Sequence, residues 1–307
     1  MIKKLLQNKI FACAAAVFCT LLWGTAFPFI KLGYEAFEIA DSDMGTKLLF
    51  AGARFMIAGA MVLVFLCVTQ RGVPRLKKSE LAPAAVLGLV QTAGQYLFTY
   101  IGIGFTSGTS TSIITACASF LTVAAAAFFF KGDKITLLKI IGCIIGFCGV
   151  LVINGSGLGE GDTLFGNAMI LCSTVCAAAG NIIAKKASGK VNPVKLTAFQ
   201  LLIGSAVLVA AGLILGGRLD VTNLNGMLIL LWLAFVSAAA FTVWTALLKY
   251  HPAGKISVFN LLVPVFGTIL SGITLGEIIF RTETLISLLL ISAGIILVNI
   301  SREKSSA

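Results

Sequence analysis

Charge is scarce in this sequence. Only 11% of its 307 residues are Asp, Glu, Lys or Arg, where a soluble globular domain carries about a quarter. A soluble core of this length needs a polar surface to cover it, and so little charge cannot provide one, which excludes a soluble enzyme or binding module. Histidine occurs once, as His251, so neither a multi-His metal centre nor a His-based catalytic dyad can be assembled. No Walker sequence occurs, which excludes direct powering by ATP. The glycine run from Gly155 to Gly159 has the wrong spacing for a dinucleotide turn and follows no strand pattern. Proline occurs six times against 32 scattered glycines without a three-residue period, which excludes collagen and a disordered chain. The eight cysteines form no Cys-x-x-Cys pair and read as small buried residues. No metal and no cofactor is expected.

What fills the chain instead is apolar sequence, at 58% of all residues. A helix crosses the hydrocarbon of a bilayer with about 20 apolar residues, whereas a membrane β-barrel shows short alternating segments. The runs here are long and continuous: roughly 10–33, 46–69, 82–100, 109–130, 136–153, 164–185, 195–215, 226–248, 255–275 and 284–300. The expected fold is an all-α polytopic membrane protein with ten transmembrane helices, the fifth and tenth being short for a span. Lys3 and Lys4 ahead of an apolar stretch imitate a signal peptide. The run continues to Phe29 and Ile30, however, so an uncleaved first span is the preferred reading.

Cytoplasmic loops retain Lys and Arg. With the amino terminus inside, 18 of the 23 basic residues fall in inner segments and nine of the twelve acids in outer ones. Both termini are then cytoplasmic. The net charge of +11 becomes a topology signal and a match to anionic lipid of the bilayer, with no nucleic-acid partner implied.

The chain also repeats itself. Gly149-Val150-Leu151-Val152-Ile153-Asn154 returns as Gly294-Ile295-Ile296-Leu297-Val298-Asn299, displaced by 145 residues. Lys131-Gly132-Asp133 matches Leu275-Gly276-Glu277 at 144, and Arg54-Phe55 matches Gln200-Leu201 at 146. Two units follow, 1–155 with spans one to five and 156–307 with spans six to ten. Because five spans are odd in number, the second unit enters the membrane upside down, which makes an inverted repeat, the plan of many secondary transporters.

Several short motifs now combine: Trp23-Gly24-Thr25-Ala26-Phe27 ending at Lys31, Ala53-Arg54-Phe55, Gly88 with Gln91-Thr92-Ala93, and Pro264 ahead of Gly276-Glu277. In this order, across nearly the whole chain, they resemble the EamA family of the drug/metabolite transporter superfamily. The sequence departs from that pattern at Phe120, where a proline is expected, at Gly132-Asp133 for Gly-Glu, and at Ala177 for a tryptophan. The resemblance implies a carrier in a bacterial-type inner membrane for a small organic solute, often an exporter, with a central cavity between the halves.

Polar groups away from span ends are costly in lipid and should face the bundle interior or a watery cavity. Ser112, Thr115, Ser119 and Thr122 recur three and four apart and so share one helical face, with Ser257, Asn260, Pro264 and Gly267 as counterparts. Gln91, Gln95 and Thr99 form a second stripe, matched by Ser237, Phe241 and Thr245 beside Trp244. Such Ser and Thr either line a path or satisfy their own helix and glue spans together. Amides need more partners than one helix offers, which turns Gln91, Gln95 and Asn260 toward a cavity. Asn181 and Gln200 join the candidate lining.

Arg54 is the strong charge well inside a span. It snorkels outward to Asp41, Asp43 or the headgroups, or fixes a helix contact, or clamps a substrate carboxylate or phosphate. Trp23, Phe27 and Trp244 pack, or stack on the solute. Pro28 and Pro264 are candidate hinges, and Gly180-Asn181 a similar weak point. Gly142/Gly146, Gly212/Gly216 and Gly272/Gly276 have the spacing of close helix contacts.

Every Asp and Glu lies in a loop or at a span end, so no mid-membrane carboxylate is available to carry protons. The solute is bounded only as amphipathic, zwitterionic or anionic, with an amino acid or a drug-like compound as examples. A carrier of lipid-linked or sugar-nucleotide substrates is the alternative, a membrane-embedded enzyme the more distant one, and a homodimer is compatible with any of these.

Overall fold

A computed structural model describes residues 2–40, 42–70, 72, 74–106, 108–131, 133–154, 163–275 and 282–300. Each apolar run is helical in it, starting and ending within four residues of the expected ranges. A short α1 (Ile2–Gln7) precedes α2 (Lys9–Ala36) and α3 (Met44–Gln70). The third run is composite: α4 (Lys78–Leu87), a π-helical segment (Gly88–Gly94) and α5 (Gln95–Ile103). Next come α6 (Gly108–Phe129), α7 (Leu137–Asn154), α8 (Leu164–Ser188), α9 (Pro193–Ile214) and α10 (Leu224–Tyr250). The ninth run is also composite, with α11 (Ala253–Ser257), a 3-10 turn (Val258–Leu261) and α12 (Leu262–Leu275), and α13 (Thr282–Ile300) closes the series. Among the described residues seven helices are long and apolar enough to cross a membrane, and three shorter apolar helices, 113–129, 137–152 and 285–300, accompany them. The described residues contain no strand.

The ends follow from local chemistry. Asn8 accepts from the amides of Ile10 and Phe11, Thr163 from Gly166, and Asn223 from Gly226, each satisfying amides that the first turn leaves unbonded. Asn192 caps α9 with Pro193 in the first helical position. At the other end of α9, Gly216 takes φ 80°, the left-handed residue that ends a helix. Gly216 therefore terminates α9 and is not the helix-contact residue its spacing with Gly212 suggests. Gly276, in the third such pair, lies outside the described residues.

The extensive packing is between the two halves of the chain. α3 lies along α9, α7 along α13, α2 against α10 and α12, and α8 against α5 and α6. α10 also packs on α3, and α9 on the π segment. The close approach of α7 and α13 requires glycine on both sides. A Cβ on Gly142 would fall 2.7 Å from the Gly294 carbonyl oxygen, and one on Gly294 would fall 2.5 Å from that of Gly142. Gly142→Ala is expected to cost about 1–3 kcal/mol, because neither backbone can give way without repacking. Thermal unfolding in detergent would register this as a lowered midpoint, and an unchanged midpoint would mean that the contact is loose.

The loops rich in Lys gather at one end of the bundle. His251 Nε2 meets the Leu6 carbonyl at 2.7 Å, Lys195 pairs with Glu80 at 2.6 Å, and the Lys255 ammonium donates to the Asn299 carbonyl at 3.2 Å. Lys185 donates to the Leu248 and His251 carbonyls at the carboxyl end of α10, where a cation is favoured. At the opposite end the Thr163 amide donates to the Phe105 carbonyl at 2.9 Å, and the Arg218 amide to Thr46 Oγ1 at 3.0 Å.

Candidate functional site

In the interior, helices from both halves carry one continuous row of polar and aromatic side chains. It starts at α6, where Asn181 Nδ2 of α8 donates to Thr122 Oγ1 at 3.3 Å. The other end of the same amide, Oδ1, accepts from Trp244 Nε1 of α10 at 3.0 Å. Trp244 meets Trp23 of α2 edge-on, with centroids 5.0 Å apart, and Trp23 meets Phe241 at 5.5 Å. Phe241 is 6.2 Å from Phe55, which stacks at 4.4 Å on Tyr96. These separations are those of favourable edge and tilted ring pairs.

Arg54 closes the row. Its guanidinium carbon lies 4.9 Å from the Phe55 centroid, a cation–π contact, and Nε donates to Ser237 Oγ at 2.8 Å. Ser237 can accept because its own proton goes to the Leu233 carbonyl at 2.9 Å. The Tyr34, Tyr96 and Tyr100 side chains lie within electrostatic reach of the Arg54 charge. Arg54 is 2% exposed, and no carboxylate pairs with it among the described residues. The outward, snorkelling alternative is thereby corrected. Asp43 is otherwise engaged, capping α3 through the Thr46 amide at 2.8 Å. Hydrogen bonds from Thr46 hold the Asp43 carboxyl below its ordinary value. Asp41 lies outside the described residues.

The other candidates divide. Thr115 bonds the Thr111 carbonyl one turn back, and Thr99 bonds the Gln95 carbonyl and Ser173 of α8 at 2.6 Å. Ser119 donates to the Ser257 carbonyl at 2.9 Å. These hydroxyls satisfy their own helix or join helices. The Ser112 side chain lies outside the described residues, and Gln95 is half-buried. Gln91 is buried on the π segment against Gly180 of α8, where a Cβ would fall 2.8 Å from its side chain. Buried atoms without a hydrogen-bond partner include Trp23 Nε1, Gln91 Oε1, both amide atoms of Gln200, and Asn260 Oδ1. Unpaired polar atoms in so dry an interior are unfavourable, and they mark where a polar guest or water would bind.

The helices loosen at two of these sites. The π segment carries Gln91, and π turns widen a helix locally. The 3-10 turn carries Asn260, whose carbonyl faces the missing amide of Pro264 four residues on. By contrast α2 stays helical through Pro28, and α8 through Gly180 and Asn181. Asn181 is thus a bridge and not a weak point. The three tyrosines about Arg54 escaped the sequence reading, since a single tyrosine in an apolar run looks like packing.

A family model described as the EamA-like transporter family matches residues 10–155 and again 164–300. The chain belongs to that family. It is a membrane transporter and not an enzyme. Among its relatives, the uncharacterised transporter YetK of Bacillus subtilis is 30% identical over 75% of this chain and 71% of its own length. The uncharacterised transporter YvbV of the same organism is 28% identical, covering 94% and 92%. The uncharacterised inner membrane transporter YedA of Escherichia coli K12 is 26% identical over 84% and 82%. A solved crystal structure of 18% identity superposes with a TM-score of 0.79 over 95% of this transporter and 98% of that chain, which shows a shared fold.

Proposed function

We propose that this EamA-family transporter exports a small amphipathic solute bearing an anionic group, by alternating access around a cavity between two inverted five-helix units, 1–155 and 156–307. The observation that carries the solute class is Arg54, a guanidinium buried without a carboxylate partner among the described residues. Burying such a charge is unfavourable until an anion joins it. The Trp23, Phe241 and Trp244 rings then offer an apolar wall, and Trp23 Nε1, Gln91 and Asn260 offer polar contacts to the rest of the solute. Gln95 and Gln200 extend that lining. Pro264 serves as a hinge beside the 3-10 turn, and Pro28 is its less evident partner in the first unit.

Support for the inverted plan comes from the helix pairs. Exchanging each helix for its counterpart in the other unit turns the packing of α2 on α10 into that of α8 on α5, and α2 on α12 into α8 on α6. The pairs α3 with α9 and α7 with α13 map onto themselves. The family model's two matches also fall one in each unit. Ten spans with both termini on the cytoplasmic side of a bacterial-type inner membrane agree with the gathering of the basic loops.

The test is the extracellular metabolite profile of a bacterial host expressing the protein, beside hosts with equal amounts of Arg54→Ala and Gln95→Ala. A carboxylate- or phosphate-bearing compound is expected outside only with the unaltered protein. A compound that accumulates equally with Arg54→Ala would contradict the anion assignment. Because no carboxylate lies mid-membrane, solute flux in proteoliposomes is expected to leave the luminal pH unchanged. A solute-driven pH change abolished by Glu277→Gln would show proton coupling instead.

A further inference from the structure

A buried acid fastens the two halves together at the end where the basic loops meet. Asp133, just after α6, accepts through Oδ2 from the Ala253 amide at 2.7 Å, the first residue of α11. Its Oδ1 lies 3.5 Å from Lys139 Nζ, and both side chains are 1% exposed. Lys139 donates further to the Lys134 carbonyl at 2.8 Å. Deeper along the same seam, Val123 lies against Gly254, and Ser119 bonds the Ser257 carbonyl. At this end α6 is closed upon α11 and the 3-10 turn.

The opposite end differs. The 145-residue displacement of the repeat carries Val123 onto Thr268 of α12. Val123 is buried, whereas Thr268 is exposed. Among the described residues α6 packs on α11 and the 3-10 turn, with no comparable packing on α12. Among the described residues the seam is closed at the basic end and the matching position on α12 is exposed, an asymmetry of the kind alternating access predicts for a single state.

We propose that Asp133, Lys139 and the Ala253 amide form a latch that holds the basic end closed while the other end is open, and that releasing it is a step of the transport cycle. This rests on the inverted-unit reading above. The carboxylate satisfies the Ala253 amide, which the first turn of α11 leaves unbonded. The ion pair lies within the first half, and only the bond to the Ala253 amide crosses the seam. Lys139 compensates the buried carboxylate that accepts from Ala253, and losing Lys139 leaves that charge unpaired and favours the open seam, where water reaches it.

The experiment uses the full chain with its native cysteines replaced, in membrane vesicles of both orientations. Ser257→Cys, behind the latch, and Thr268→Cys, at the opposite seam, are reacted with a membrane-impermeant maleimide. Asp133→Ala and Lys139→Met are each expected to speed labelling at position 257 by about tenfold or more and to slow it at 268. Asp133→Asn keeps an acceptor for the Ala253 amide and should fall between. If Asp133→Ala does not insert, Asp133→Asn and Lys139→Met decide by the same criterion. Unchanged labelling at 257 overturns the latch. Faster labelling at 257 with none slower at 268 overturns it as a switch and leaves a fixed brace. The labelling needs no solute, so a failure of the solute assignment would appear in the metabolite profile and not here.

Discussion

Arg54→Ala is expected to slow transport of an anionic solute by about 10- to 100-fold at low solute concentration, since a hydrogen bond to a charged group contributes about 1.5–3 kcal/mol. Initial rates across a range of solute concentrations in proteoliposomes would show this mainly as a raised half-saturation concentration. Arg54→Lys keeps the charge but loses the planar fork and the Nε bond to Ser237, so it should recover only part of the rate. Arg54→Gln copies Gln200, the fully buried residue 146 positions on in the proposed second unit, and should fold while failing to bind. If all three variants lose thermal stability and keep their affinity, Arg54 is a structural tie between α3 and α10 and the anion assignment fails.

Asn181→Leu is the second change of large effect. It removes the acceptor of Trp244 Nε1 and the donor to Thr122 together. A buried indole N–H without a partner costs about 1–3 kcal/mol. The loss should appear in detergent unfolding of the purified protein. It should shrink markedly in the double variant with Trp244→Phe, which has no N–H to strand, and such non-additivity is what a direct contact predicts. Full additivity would mean that Asn181 acts elsewhere.

How much could be read in advance depended on the kind of signal. The apolar runs were legible because bilayer thickness fixes their length, and helix is the only open-ended structure that satisfies its own backbone there. Trp23, Arg54, Asn181 and Trp244 stood out as polar or bulky residues in such runs, and they do meet in one row. The π segment could not be read. Its sequence, Gly88 to Gly94, is compatible with an ordinary helix, and the close fit of Gly88 and Thr92 against α9 is seen only in the folded chain. The role of Asp133 was hidden for a related reason. It reads as a loop acid replacing a family Glu, and only the folded chain brings it to Ala253, 120 residues away. Hydroxyls misled most. Thr115 and Thr99 have the spacing of a lined path, yet a threonine on a helix can always bond a carbonyl one turn back.

The pairing of α3 with α9 and of α7 with α13 bears on how the chain can be divided. Each pair takes one member from either half of the chain, and glycine brings their backbones into contact. A polypeptide ending at residue 155 would present the glycine face of α3 and that of α7 to lipid with nothing to fill them. The complementary fragment would have the same defect in α9 and α13. Neither fragment is thus a domain in the folding sense, and a gene split between them would encode two subunits of an obligate heterodimer, each stable only in the other's company.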